Sequence, residues 1–184
     1  MQFEYGGDDG CPIVSWFSKH LRSVECCFGS GLPEASLTLL YSGIDTLGLL
    51  GAPPEVKEAT GATFICWCEQ YLVQRLKSID GKSLTALEIY GARCGVLHTS
   101  SPVSKSSRAG ECREVWYQFR GESSVNLGLN AKLEPLTVDI AHFAIAFAES
   151  GKAFVTVLNG KPALLTAARD RARSFFRWGR QCGT

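Results

Sequence analysis

The chain has 184 residues, of which 45% are hydrophobic and 20% charged, and its formal net charge is +1. This length suits one compact domain, and the composition excludes a disordered chain and a globally basic nucleic-acid-binding protein. Any affinity for nucleic acid must therefore be local.

The N-terminal residues are acidic rather than basic, and no apolar run approaches the ~18 residues that cross a bilayer. We therefore expect no signal peptide and no membrane partner, and we place the protein in the cytoplasm. Residues 1–10 are predicted to form a tail and residues 11–184 a single domain. The eight cysteines are scattered through a chain that is apolar enough to fold without disulfides, so we expect reduced thiols.

The first half of the chain shows four helical patterns in succession. Apolar residues recur at spacings of three and four over residues 11–28, 33–47, 55–78 and 83–98, and Ser83 is a candidate cap for the fourth helix. Prolines stand in the first turn of the first two patterns, where they favour a helix start. Short connections favour antiparallel neighbours, so the pattern predicts an up-and-down four-helix bundle over about residues 11–101.

A serine-rich polar loop follows the fourth helix, and the pattern then changes. Residues 115–119 alternate apolar and polar side chains, and residues 125–129 repeat the alternation after a turn, which predicts a small hairpin. Two further helices are predicted at about residues 137–158 and 161–178. The predicted fold class is therefore mainly α: an antiparallel four-helix bundle core with a β-hairpin and two additional C-terminal helices over about residues 112–180.

The fourth predicted helix carries the residues with the clearest chemical potential, Arg93 and His98. A guanidinium holds a permanent charge that can stabilise a phosphoryl group, and an imidazole titrates near neutral pH and can move a proton. Together they supply what cleavage of RNA without a metal needs, with the ribose 2′-hydroxyl as nucleophile and a 2′,3′-cyclic phosphate as product. No cofactor is implied.

Five positions on a regular helix separate two side chains by about 140°, so one copy does not aim Arg93 and His98 at one point. Either the helix loosens near His98, or two copies meet across a two-fold axis and share a cleft. Arg93 also lies among apolar neighbours and needs an anion. That anion is a carboxylate of the chain, Asp45 or Glu88, in one interpretation and an RNA phosphate in the other. The simpler interpretation of His98 is a helix-terminal histidine bonded to a backbone carbonyl.

The spacing of an arginine, four residues and a histidine, preceded by Leu84, Leu87 and Tyr90, resembles the signature of the HEPN superfamily (higher eukaryotes and prokaryotes nucleotide-binding). Residues 41–45 in the second helix resemble the family in the same way, and the resemblance covers residues 11–101. It implies a helical bundle that forms a homodimer through the motif-bearing helices. For many members it also implies a metal-independent endoribonuclease of toxin–antitoxin, defence or RNA-processing systems, with an antitoxin or regulatory protein as a partner.

Carried over residue by residue, the resemblance makes Arg93 and His98 catalytic and Asp45 an orienting partner of Arg93. The position after the arginine is commonly asparagine, histidine or aspartate in active members, and here it is Cys94. A thiol is a weaker hydrogen-bonding group than those side chains. Cys94 therefore favours the alternative that the chain is a catalytically inactive RNA-binding, protein-binding or regulatory module.

The last predicted helix carries a basic stripe, formed by Arg169, Arg173, Arg177 and Arg180. From residue 161 to the end the chain has six Lys or Arg against one acid, or +5, so the remainder carries 13 − 17 = −4. The stripe is a candidate nucleic-acid-binding surface, and its simpler interpretation is the solvated face of an amphipathic helix. The close cysteine pairs, 26–27 and 66/68, lack the spacing of a zinc site, so no metal is expected.

Overall fold

A computed structural model describes residues 11–99, 101, 103–123 and 133–175. These residues are mainly helical, as the sequence predicts. The helices are α1 Pro12–Gly29, α2 Pro33–Gly51, α3 Gly61–Trp67, α4 Ala86–Thr99, α5 Lys105–Ala109, α6 Ile140–Asn159 and α7 Pro162–Phe175, and a single π-helical turn, Cys68–Leu72, continues α3. The strands are β1 Val115–Phe119, β2 Glu122–Ser123 and β3 Leu136–Asp139.

The first two helices follow the prediction closely. Both begin with a proline in the first turn, where the absent N–H costs no helical hydrogen bond. α1 buries Ile13, Phe17, Leu21 and Val24, a stripe with the expected spacing of four, four and three.

The third helix is much shorter than predicted, because a capping box starts it late. The Thr63 backbone N–H donates to the Thr60 hydroxyl oxygen, and the Thr60 N–H donates to the Thr63 hydroxyl oxygen. These bonds satisfy the first free amides of a helix that starts at Gly61. Residues 55–60 therefore lie in a loop, and no regular helix continues beyond the π-turn to residue 78.

The fourth helix is capped by Thr85 and not by Ser83. The Glu88 N–H donates to Thr85 Oγ1 at 3.2 Å, and the Thr85 N–H donates to Glu88 Oε2 at 2.8 Å. The Ser83 hydroxyl instead accepts a hydrogen bond from Lys77 Nζ at 2.7 Å. The reciprocal threonine–glutamate pair therefore sets the start of α4, two residues beyond the predicted cap.

We expect Thr85→Ala to lower the free energy of unfolding by about 1 kcal/mol, the usual cost of losing a cap. Ser83→Ala is the matched control, because it removes an exposed hydroxyl that caps nothing. Urea unfolding followed by circular dichroism measures both. Equal losses in the two variants would contradict the assignment of Thr85 as the cap.

The three-stranded sheet has the order β2-β1-β3. β1 pairs in parallel with β3 from Val115 opposite Leu136 to Gln118 opposite Asp139. β2 adds a short antiparallel edge after a turn at Arg120 and Gly121, whose φ angles of +51° and +88° are typical of a tight hairpin turn.

The predicted hairpin is therefore wrong as a description of this sheet, because the main partner of β1 is a parallel strand. Residues 125–129, the predicted second strand, lie outside the described residues. β3 overlaps the start of the predicted helix 137–158. Leu136 and Val138 are buried and their neighbours are half-buried, and the Asp139 carboxylate then accepts the His142 N–H, so α6 starts only at Ile140.

The core is centred on α6 and not on the first four helices alone. Phe147 of α6 is fully buried, and its ring packs on those of Phe17, His20 and Trp67, with centroids 5.5, 6.1 and 6.3 Å away. A hydrogen bond between the buried hydroxyls of Tyr41 and Tyr117 joins α2 to β1. The antiparallel four-helix bundle over residues 11–101 is not confirmed, because elements beyond residue 101 complete its core.

Among the described residues, only α6 is long and apolar enough to cross a bilayer by length and composition. Half of its most apolar window is buried inside the protein. The position of α6 in the core accounts for its apolar character.

Candidate functional site

Arg93 of α4 forms an ion pair with Asp45 of α2. The Arg93 Nε and Nη2 atoms donate to Asp45 Oδ2 at 3.0 and 2.8 Å. The two side chains are 22% and 19% exposed, so the pair lies at the edge of the core and not inside it. Of the two carboxylates proposed from the sequence as partners of Arg93, Asp45 is the one in contact.

The burial pattern of the two helices explains this geometry. On α2, Tyr41 and Ile44 are buried, which places Asp45 at the margin of the helix that borders α4. On α4, Ile89 and Ala92 are buried, and Arg93 lies beside them. Burial lowers the pKa of Arg93, but Asp45 and the Cys94 thiol raise it more, so the net pKa is higher than usual and the guanidinium stays charged.

Cys94 takes part in the site. It is half-buried, and its thiol raises the pKa of the neighbouring Arg93. The pKa of Tyr90 is raised by burial and by this thiol. The thiol therefore lies beside the arginine in the chain, and it is a weaker hydrogen-bonding group than asparagine or aspartate.

The His98 side chain is exposed in the last turn of α4 and makes no hydrogen bond with the described residues. α4 remains helical through Thr99, so the helix does not loosen before His98. Within one copy the side chains of Arg93 and His98 are therefore directed about 140° apart. The structure brings Arg93 and Asp45 together and leaves His98 on a separate part of the helix surface.

The segment that follows α4 covers one side of this helix. The Ser101 N–H donates to the Gly95 carbonyl at 3.2 Å, and a Cβ on Gly95 would lie 2.4 Å from the Ser101 carbonyl oxygen. One turn earlier, a Cβ on Gly91 would meet Cys112 Sγ at 3.0 Å. The two glycines allow the chain to fold back against α4, and among the described residues nothing covers His98, which is exposed.

Glu88, the other proposed partner of Arg93, pairs with Arg113 instead. Arg113 Nε donates to Glu88 Oε1 and Arg113 Nη2 donates to Oε2 at 3.0 Å. Burial raises the pKa of Glu88, but the bonds from Arg113 and Thr85 lower it, and the net pKa lies below its ordinary value. Sequence reasoning missed this pair because its members are 25 residues apart and Arg113 lies in a loop.

The predicted basic stripe is only partly described. Arg169 and Arg173 are exposed on α7, and Arg173 forms an exposed contact with Asp170 at 3.4 Å. Arg177 and Arg180 lie outside the described residues. The arginine of α7 that binds the rest of the fold is Arg171, which the stripe did not include. Its guanidinium donates to the carbonyls of Leu49, Ala52, Pro53 and Val56.

Within the described ranges, no three side chains of His, Cys, Asp or Glu lie close enough to hold a metal ion, and the seven cysteines there are free thiols. The described residues thus define a mainly α protein with an arginine–aspartate pair and an exposed histidine on one helix. Comparison of the chain with protein-family models, curated proteins and solved structures finds no match.

Proposed function

We propose that this protein is a metal-independent endoribonuclease of HEPN type that acts as a homodimer in the cytoplasm. Arg93 and His98 of both copies line the shared cleft. The observation that carries the proposal is the ion pair between Asp45 and Arg93. The resemblance implies an acidic partner for Arg93 from the second helix. His98 is exposed on the same helix as Arg93.

The ion pair leaves Arg93 able to bind a phosphate. Its two hydrogen bonds to Asp45 use two of the five N–H donors and reach one carboxylate oxygen. The guanidinium is held in one orientation and keeps donors for phosphate oxygens, which it matches in geometry. An arginine fixed in this way can stabilise the charge that develops on the phosphoryl group during cleavage.

One copy holds the side chains of Arg93 and His98 apart, so the proposed cleft needs a second copy of the chain. Leu87, Cys94 and His98 follow one another at spacings of seven and four and therefore share one face of α4. Leu87 is 41% exposed. Pairing this face across a two-fold axis would cover Leu87 and bring the two imidazoles together, and the shared cleft further requires that each Arg93 lie beside the His98 of the other copy.

The chemistry then needs no metal. One His98 imidazole takes the proton of a ribose 2′-hydroxyl as the 2′-oxygen attacks phosphorus. The protonated His98 of the other copy gives a proton to the leaving 5′-oxygen. The P–O5′ bond breaks, and the products carry a 2′,3′-cyclic phosphate and a 5′-hydroxyl.

A second candidate function is a catalytically inactive module that binds RNA or a regulatory protein, such as an antitoxin. The observation that favours it is the same ion pair combined with Cys94: Asp45 neutralises much of the charge of Arg93, and a thiol replaces the stronger polar group. The open face of α4 would then be a binding surface, and Arg169 and Arg173 would meet an acidic partner or a phosphate backbone.

The test is incubation of the wild-type protein with RNAs of varied sequence in excess EDTA, combined with a measurement of mass in solution. We expect a dimer and fragments that end in a 2′,3′-cyclic phosphate. A dimer that binds RNA but cuts none of the substrates would favour the inactive module. A monomer at the concentrations of the assay would contradict the shared cleft.

A further inference from the structure

A cleft of about 430 Å³ lies between the end of α2, α3 with its π-turn, α6 and the start of α7. Its aromatic walls are Trp67, Tyr71 and Phe154, and Gly48, Gly51 and Leu164 lie among the other lining residues. The volume is in the range of sites for small organic molecules, which are mostly apolar with a few polar groups. None of the residues proposed for RNA cleavage lines it.

The aromatic walls are held in one arrangement by their mutual packing. The ring of Phe154 meets those of Trp67 and Tyr71 edge-on, at centroid distances of 6.4 and 5.6 Å. A Cβ on Gly51 would come within 3.0 Å of the Phe154 ring, so the absence of a side chain there lets α2 approach closely. Walls held in this way keep one shape, as a preformed and mostly apolar site requires.

Arg171 stabilises the opposite wall. Its four hydrogen bonds to the carbonyls of residues 49–56 hold the end of α2 and the following loop in place. Pro53 and Val56 of this loop line the cleft. The wall is therefore anchored to α7, and the cleft is preformed.

The charge of the lining residues determines whether the cleft favours an anionic or a cationic ligand. Among the described residues that line it, Lys161 is the one charged side chain, and none is a carboxylate. Lys161 immediately precedes α7, whose first amides have no partner within the helix and carry its positive dipole end. Both features favour an anionic group at this end of the cleft.

Trp67 supplies a second polar requirement. The residue is 3% exposed, and its indole Nε1–H has no acceptor among the described residues. A buried donor without a partner is costly, and such groups are nearly always satisfied in folded proteins. Trp67 also lines the cleft, so a ligand oxygen that reaches this N–H would satisfy it.

We propose that the cleft binds an aromatic monocarboxylate. The ring lies against Trp67, Tyr71 and Phe154, and the carboxylate lies at Lys161 and the start of α7. A ligand of this kind matches the apolar walls, the single positive charge and the unpartnered indole N–H. The site is separate from the face of α4, so its occupation and RNA cleavage can succeed or fail independently.

Two exposed cysteines make a direct test possible. Cys66 lines the cleft, whereas Cys26 lies on α1 and outside it. The probe is 2-naphthoate, and the readout is the rate at which N-ethylmaleimide alkylates each thiol in the full-length protein, followed by peptide mass spectrometry. We expect saturating 2-naphthoate to slow alkylation of Cys66 at least about tenfold and to leave Cys26 unchanged, since a ligand in the cleft excludes the reagent.

Two comparisons test the role of the charge. The neutral 2-naphthamide is expected to bind about tenfold more weakly than 2-naphthoate. Lys161→Gln is expected to weaken 2-naphthoate about fivefold, as loss of an exposed charge contact predicts, while the exposed Lys152→Gln on α6 leaves binding unchanged. No protection of Cys66 at millimolar 2-naphthoate, or equal slowing of both thiols, would overturn the site. Equal protection by the amide would overturn its assignment to carboxylates.

Discussion

Replacement of His98 by alanine is expected to lower the rate of RNA cleavage at least about a hundredfold, because a positioned general acid or base contributes roughly 10²–10⁴-fold. The side chain is exposed and makes no hydrogen bond with the described residues, so the substitution should leave folding intact. The measurement is the initial rate of cleavage of one RNA in EDTA, at matched dimer concentration. Circular dichroism and mass in solution verify the fold and the dimer.

The matched control is His142→Ala. His142 is also exposed on a helix, but it lies in the first turn of α6 and far from α4 in the chain. We expect this variant to cleave at the wild-type rate. Unchanged cleavage in His98→Ala, with the dimer retained, would remove the imidazole from the mechanism and leave the inactive module as the better account.

The site could be predicted from the sequence where its signals are local. The spacing of Arg93 and His98 is read directly, and Asp45 follows from the short segment in the second helix that resembles the family. Asp45 pairs with Arg93 because the buried neighbours of each residue, on α2 and on α4, leave both side chains at the boundary of the two helices. Apolar periodicity predicts which side of a helix is buried, and thereby which residues lie at its margin.

What the sequence could not supply depends on contacts between distant segments. Arg113 reaches Glu88 from a loop, and Arg171 reaches the end of α2 across more than a hundred residues of chain. Neither arginine belongs to a recognisable motif. Their partners are set by packing, and no spacing along the chain encodes them.

The sequence predicts β1 but not its parallel partner, for a related reason. β3 has four residues, and its alternating burial is too short to separate it from the apolar helix that follows. Its partner β1 lies about twenty residues earlier, and a parallel pairing of this kind carries no turn signal between the strands. Periodicity therefore predicted α1, α2 and β1 correctly, whereas the late start of α3 depends on a capping box and the pairing of β3 on a tertiary contact.

The second strong prediction concerns Phe147 in the core. We expect Phe147→Ala to lower the free energy of unfolding by about 3–5 kcal/mol, because the side chain is fully buried and its removal leaves a cavity. Ile145→Ala on the same helix is the control: Ile145 is 45% exposed, so its loss should cost less than about 1 kcal/mol. Urea unfolding of the two variants gives both values.

The Phe147 prediction also concerns the proposed site. A Cβ on Gly43 would lie 2.6 Å from the Phe147 ring, so α6 presses on α2 two residues before Asp45. The position of Asp45, and through it the orientation of Arg93, therefore depends on a helix that lies outside residues 11–101. If Phe147→Ala cost no more than Ile145→Ala, α6 would not hold α2 in place, and residues 11–101 could form the bundle by themselves.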